Sequence, residues 1–209
     1  NIVPVSGRSP VIADVDNDPD ITTDVTLKDI TIKSGVILDI NSTGSLTLSD
    51  DFTNSSGTVN LNSASGAYPS LIVSGTSSGN ITYNRYVNIA VDSGSNEWDL
   101  VGSPVDGLSI SSFVTTNSSA IATSGSTYAL GYYDNSNDSW TNYTTSTAGG
   151  AGNFTLGKGY QMASASGATM AFTGTVPTSA QTQSVINNAD SSGRRWNLVA
   201  NPFPSYINL

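Results

Sequence analysis

The chain has 209 residues, enough for one large β domain or two small ones. Its 37% hydrophobic and 11% charged content does not match a disordered chain, which pairs low hydrophobicity with high net charge. A net charge of −9 from 16 acids and 7 bases disfavours nucleic acid and anionic membrane as partners, and the lack of Cys and His removes disulfides, thiolate sites and every triad or zinc motif that needs His.

Residues 1–24 read as an irregular acidic lead-in. Asp14, Asp16, Asp18, Asp20 and Asp24 crowd it, and Pro19 interrupts it. Oxygens at every second residue can converge on a hard cation when a loop curls, so Asp14, Asp16, Asp18 and Asp20 are the candidate calcium ligands. The spacing is that of the start of an EF-hand loop. Pro19 stands where that loop turns on Gly, and no Glu follows at its twelfth position, so an intact EF-hand is not expected. A solvated acidic loop accounts for the same residues equally well.

From Val25 the chain breaks into short alternating runs: Val25 to Leu27, Ile30 to Ile32, Val36 to Ile40, Leu46 to Leu48, Val59 to Leu61 and Leu71 to Val73. Alternation puts every second side chain on one face. Gly35 and Gly57 lie 22 residues apart, as do Gly44 and Gly66. A fixed period near 20 with short strands is the pattern of a solenoid whose coils bury their inward side chains on one another. The reading is a short parallel β-solenoid over residues 25–80 that needs a cap. A meander of hairpins is the alternative.

Ile81 to Ile89 alternates strictly and is longer than any run before it, which sets a boundary near residue 80. Beyond it, Tyr128 to Tyr133 and Ser139 to Thr144 flank the polar stretch from Asp134 to Asp138, a β-hairpin signature. Further strands are expected at Phe154 to Leu156, Tyr160 to Met162, Ala168 to Val176 and Trp196 to Ala200. No stretch longer than a turn or two has helical spacing. Residues 81–209 therefore read as an antiparallel, jelly-roll-like β-sandwich, and the apolar pattern still running at Leu209 suggests truncation.

One motif appears twice. The run from Trp98 to Pro104 (Trp-Asp-Leu-Val-Gly-Ser-Pro) returns as Trp196 to Pro202 (Trp-Asn-Leu-Val-Ala-Asn-Pro). Each copy reads as a buried strand stopped by proline, with Trp98 and Trp196 as core anchors.

The candidate binding residues are aromatic. Tyr132, Tyr133, Trp140 and Tyr143 share the expected hairpin, where flat rings can stack on sugar faces. Alternation sends Tyr132 and Tyr133 to opposite faces, so one set is expected to fill the core. Glycoside hydrolysis would need a pair of carboxylates. Glu97 is the single Glu, and Asp50, Asp51, Asp92, Asp99 and Asp106 are the other options, but none sits in an active-site motif. Scattered Asp in such a chain is mostly turn chemistry. The solenoid part offers only Lys28 and Lys33 as bases for a lyase. Gly157-Lys158-Gly159 is too short for a phosphate loop, and Arg194-Arg195 reads as a turn pair.

The order of motifs resembles a known family. Ile30 to Leu38, Ser70 to Gly75, Gly79 to Tyr86, Trp98 to Pro104, Gly157 to Tyr160, Phe172 to Val176 and Trp196 to Ser205 look like the repetitive ectodomain of large secreted or surface proteins of Bacteroidetes, especially flavobacteria. The resemblance covers residues 25 to 209. In those proteins the ectodomain commonly precedes a type IX secretion sorting domain. It implies export across the outer membrane, with surface attachment or release, and carries no catalytic residue over.

The expected function is thus a non-catalytic extracellular module acting in adhesion or as a structural subunit. Its expected partners are a surface glycan or other copies of itself, with no nucleic acid and no membrane insertion, and calcium is the one cofactor in view. The alternative is a carbohydrate-binding module of a secreted polysaccharide-degrading enzyme.

Overall fold

The computed structural model describes residues 7–14, 16–91, 97–187 and 196–207. The chain is all-β, with a parallel β-solenoid of about three turns leading into an antiparallel sheet.

Three parallel sheets form the walls of the solenoid. The first coil is β1 (Val11–Ile12), β2 (Asp20–Ile21) and β3 (Asp24–Leu27). The second is β4 (Ile30–Lys33), β5 (Ile37–Asn41) and β6 (Ser45–Leu48), and the third β7 (Phe52–Ser55), β8 (Thr58–Asn62) and β9 (Ser70–Val73). A fourth coil starts with β10 (Ser77–Ser78) and β11 (Asn80–Val87). The walls run β1-β4-β7-β10, β2-β5-β8-β11 and β3-β6-β9. Alternating Leu, Ile and Val fill the interior: Ile32, Ile40, Leu46, Leu48 and Leu61 are fully buried. Each such side chain contributes about 1.5–3 kcal/mol by leaving water.

Two sequence expectations need correction. The lead-in is not irregular throughout, because β1 and β2 pair in parallel with β4 and β5 and belong to the first coil. The sequence hid them because each is only two residues long. Gly44 and Gly66 are also not equivalent. Ser45 pairs with Ser70, so Pro69 holds the place of Gly44, and Gly66 lies on a turn inserted into the third coil.

The first corner, between the β4 and β5 walls, does require a left-handed residue. Gly35 (φ 87°), Ser56 (φ 72°) and Gly79 (φ 80°) supply it in successive coils. Serine is tolerated at Ser56 because the Asn54 side chain spans the turn, accepting from Gly57 N (2.8 Å) and donating to Gly57 O (3.0 Å).

The solenoid does not end at residue 80. The next strands are β12 (Asp99–Val101), β13 (Thr123–Ser124), β14 (Thr127–Asp134), β15 (Ser139–Thr144), β16 (Tyr160–Met162) and β17 (Ala168–Thr175). β17 pairs antiparallel along the whole of β11, so one sheet runs β17-β11-β8-β5-β2. Its inward row reads Ile21, Ile40, Leu61, Tyr83, Phe172, aliphatic in the solenoid and aromatic at its end. β12, β16, β14 and β13 form the antiparallel sheet, with β15 paired to β14. The sandwich-like layering is therefore partly borrowed, because the solenoid's own extended wall shares one core with the second sheet.

One helix, α1 (Ile110–Thr116), packs into that core. Ser109 caps it by accepting from Ser112 N at 3.0 Å. Phe113 meets Phe172 (4.7 Å) and Phe154 (5.2 Å), and Phe154 meets Tyr160 (4.9 Å). At seven residues the helix is too short to show a period. Asn117 follows it, buried, and its amide pairs with the outer edge of β17, accepting from Ala171 N (2.8 Å) and donating to Ala171 O (3.1 Å). No helix among the described residues is long and apolar enough to cross a membrane.

Candidate functional site

The β14–β15 hairpin carries the four aromatics singled out in the sequence. Asp134 stiffens its tip, with Oδ1 accepting from Ser136 N (2.9 Å) and Ser136 Oγ (2.6 Å). The Ser136 and Asn137 side-chain hydrogen bonds hold the Asp134 carboxyl below its ordinary value. Tyr133 and Trp140 face each other across the ladder, ring centres 5.5 Å apart, and the Tyr133 hydroxyl donates to Asp138. Tyr132 and Tyr143 pair at 5.7 Å on the side packed against the core. Burial first, then the neighbouring Tyr160 and Tyr132, pushes the Tyr143 phenol up to about 12. Trp140 is 45% exposed. The hairpin thus splits its rings as alternation requires, one pair lining the core and one facing water.

A second wall comes from far along the chain. Gln183, Ile186 and the segment from Trp196 to Val199 lie opposite Tyr132 and Tyr133, enclosing a cleft of about 250 Å³. Asn197 clips the two parts of that wall together, accepting from Ile186 N and donating to Ile186 O, both at 2.9 Å. Lys158 lies between the walls, its ammonium 4.3 Å from the centre of the Tyr132 ring. Burial holds the Lys158 amine below its ordinary value, with Asp134 pulling the other way.

Trp196 is not a core anchor. It is 72% exposed, and Leu100, expected on the buried face of the first motif copy, is 60% exposed. Only the first copy forms a strand, β12; the second makes a single bridge, Val199 to Lys158. Both copies flank the same stretch, residues 157–162, and meet where Gly102 faces Ala200. The contribution of Lys158, Gln183 and Trp196 to the cleft had no signal in the sequence. They meet the hairpin across long loops, and a lone Lys between two glycines reads as a turn.

Several of the acidic residues tie successive coils together on the outer surface of the solenoid. Asp18 accepts from Ile37 N (2.8 Å), Asp20 from the Asn41 amide and Asp24 from Ser45 Oγ (2.7 Å), each reaching the next coil. Asp14 lies against the Gly35 corner, and Asp16 is exposed. Among the described residues no group of three or more acidic side chains converges in a way that could hold a metal ion. Of the carboxylates weighed for hydrolysis, Asp51 accepts from Thr76, Asp99 from Asn88 and Asp106 from Gly107. Asp92 and Arg194-Arg195 lie outside the described residues. The cleft offers aromatic faces, one amine and several amides: groups that hold a polar, flat-faced ligand in place.

No curated protein and no solved structure matches this chain. A family model matches residues 1–209, and the chain belongs to that family, described as Domain of unknown function (DUF8693).

Proposed function

We propose that this chain is a non-catalytic surface module of an exported protein, acting in adhesion by holding a glycan in the cleft between the β14–β15 hairpin and the wall at Trp196. The observation that supports the reading is the exposure of Trp196 opposite Tyr133 and Lys158. A large indole left 72% in water is costly in a chain able to bury it, and tryptophan on a cleft wall suits stacking on a pyranose face. The Asn135 amide donates to Trp196 O and so holds the tryptophan's segment against the hairpin across the cleft. Export and surface display rest on the resemblance to Bacteroidetes ectodomains. A carbohydrate-binding module of a secreted enzyme would use the same cleft in the same way.

A glycan array probed with the full chain tests the reading. Selective binding is expected, weakened about two- to tenfold by Trp196→Ala and further by Tyr133→Ala. An array with no bound glycan, or equal binding by the parent chain and the double variant, overturns it.

A further inference from the structure

The charge balance makes one residue stand out. The chain has few bases and many acids, yet Arg85 forms no salt bridge among the described residues. Among the described residues the salt bridges are those of Lys28 with Asp29 and Asp50. Arg85 lies two residues past Tyr83 on β11 and shares its inward face. There the solenoid gives way to the antiparallel sheet, and the Arg85 guanidinium lies 3.9 Å from the centre of the Tyr68 ring. Its Nη1 is buried and meets no acceptor among the described residues. A buried donor left without a partner carries a desolvation cost that structures rarely tolerate without a reason.

That guanidinium lines a cavity of about 260 Å³ distinct from the aromatic cleft. The floor is Tyr68, Tyr83 and Arg85; the roof is the C-terminal segment at Asn201, Phe203 and Tyr206. The Tyr83 hydroxyl is spent on Pro69 O (3.2 Å) and the Tyr206 hydroxyl on Tyr68 O (3.2 Å). Asn201 is folded back on its own turn, accepting from Phe203 N at 3.0 Å. Among the described residues no Asp or Glu lines the cavity. An anion entering it meets a single positive charge, flat aromatic walls and no repelling carboxylate at contact distance.

We infer that this cavity is a second binding site, which takes a small carboxylate carried on one ring-sized body, with Arg85 as the carboxylate receptor. Guanidinium pairs with carboxylate through charge-assisted N–H···O bonds, which the part of the Arg85 head that lines the cavity would form. The volume lies just below that of drug-sized pockets, which limits the occupant to about one ring. A hexuronate, a sugar ring bearing one carboxylate, meets both requirements. The site does not depend on the glycan cleft, since the two share only the Leu198–Val199 wall.

Calorimetric titration of the full chain with galacturonate and glucuronate tests this, with galactose as the neutral control and acetate as the carboxylate without a ring. Saturable binding of a hexuronate is expected, with galactose and acetate each at least about tenfold weaker. Arg85→Gln should weaken hexuronate binding by at least the same factor. Leu100→Trp places a large ring at a rim position already 60% exposed, so it should block entry without touching the core. Trp196→Ala should leave hexuronate binding unchanged while weakening glycan binding, which separates failure of this site from failure of the cleft. Equal affinity for hexuronate and galactose, or binding that survives Leu100→Trp in a folded chain, overturns the inference.

Discussion

Gly102 and Ala200 hold the same place in the two copies of the repeated motif, and they touch. A Cβ built on Gly102 would lie 2.5 Å from the Ala200 Cβ, closer than carbon atoms approach. The difference between the copies is thus a packing requirement, with one member small so that the other can carry a methyl group. Gly102→Ala is expected to cost about 1–3 kcal/mol by overpacking. Ala200→Gly in the same chain should recover most of it, because the clash is between these two atoms. Urea melts of the two single variants and the double variant measure the coupling, and strict additivity would place the cost of Gly102→Ala elsewhere. The repetition itself was legible in the sequence, but its meaning was not. Trp98-Leu100 and Trp196-Leu198 alternate like core residues, yet the segment at 196 lies on the surface of the sheet and leaves its tryptophan in water. Alternation reports which residues share a face and not which face is covered.

At the scale of elements, the solenoid is held from outside as well as from within. Asp18, Asp20, Asp24, Asp39 and Asp51 each accept a hydrogen bond from the coil that follows. Asp39 takes Asn60 (2.8 Å) and Asn62 (3.3 Å), and the Asn84 amide reaches Asn62 (2.8 Å), so the outer face of the wall carries a polar ladder opposite the apolar one inside. The sequence showed this spacing only as a glycine period and an acidic lead-in. The partner of each aspartate lies a full coil away, and an insertion in the third coil shifts the later ones. Asp51 shows what the arrangement implies for acid stability. The Thr76 backbone N–H (2.7 Å) and hydroxyl (2.9 Å) hold its carboxyl below the ordinary 3.8. A carboxylate depressed in the folded state adds stability above its unfolded pKa and loses it as pH falls through the folded one. Asp51→Asn keeps an acceptor oxygen and removes the titration. Its melting temperature should therefore fall less steeply than the parent's below about pH 4, and parallel curves for the two chains would show that Asp51 carries none of the acid sensitivity.

For the whole molecule, the decisive fact is that the boundary near residue 80 falls inside a sheet. β11 is at once the fourth rung of the solenoid wall and the partner of β17. The change of texture at Ile81 is real and readable, because the strand lengthens there and aromatics become frequent. What it marks is a change in what covers the wall. Phe172 lies at the join, in register with Tyr83 on β11 and in ring contact with Phe113 and Phe154. The far wall of the solenoid is tied in as well, since Leu71 on β9 donates to Pro204 O at 2.7 Å, covering an edge that would otherwise be open. Two connections on different walls make independent melting of the two halves unfavourable, because either half alone would expose a sheet edge and part of the common core. A single cooperative transition is expected, with far-UV signal from the strands and near-UV signal from the tryptophans lost together. Phe172→Ala should lower that one transition by about 3–5 kcal/mol without splitting it. A variant that lost its tryptophan signal first and kept its strand signal would show instead that the solenoid is capped by β17 alone.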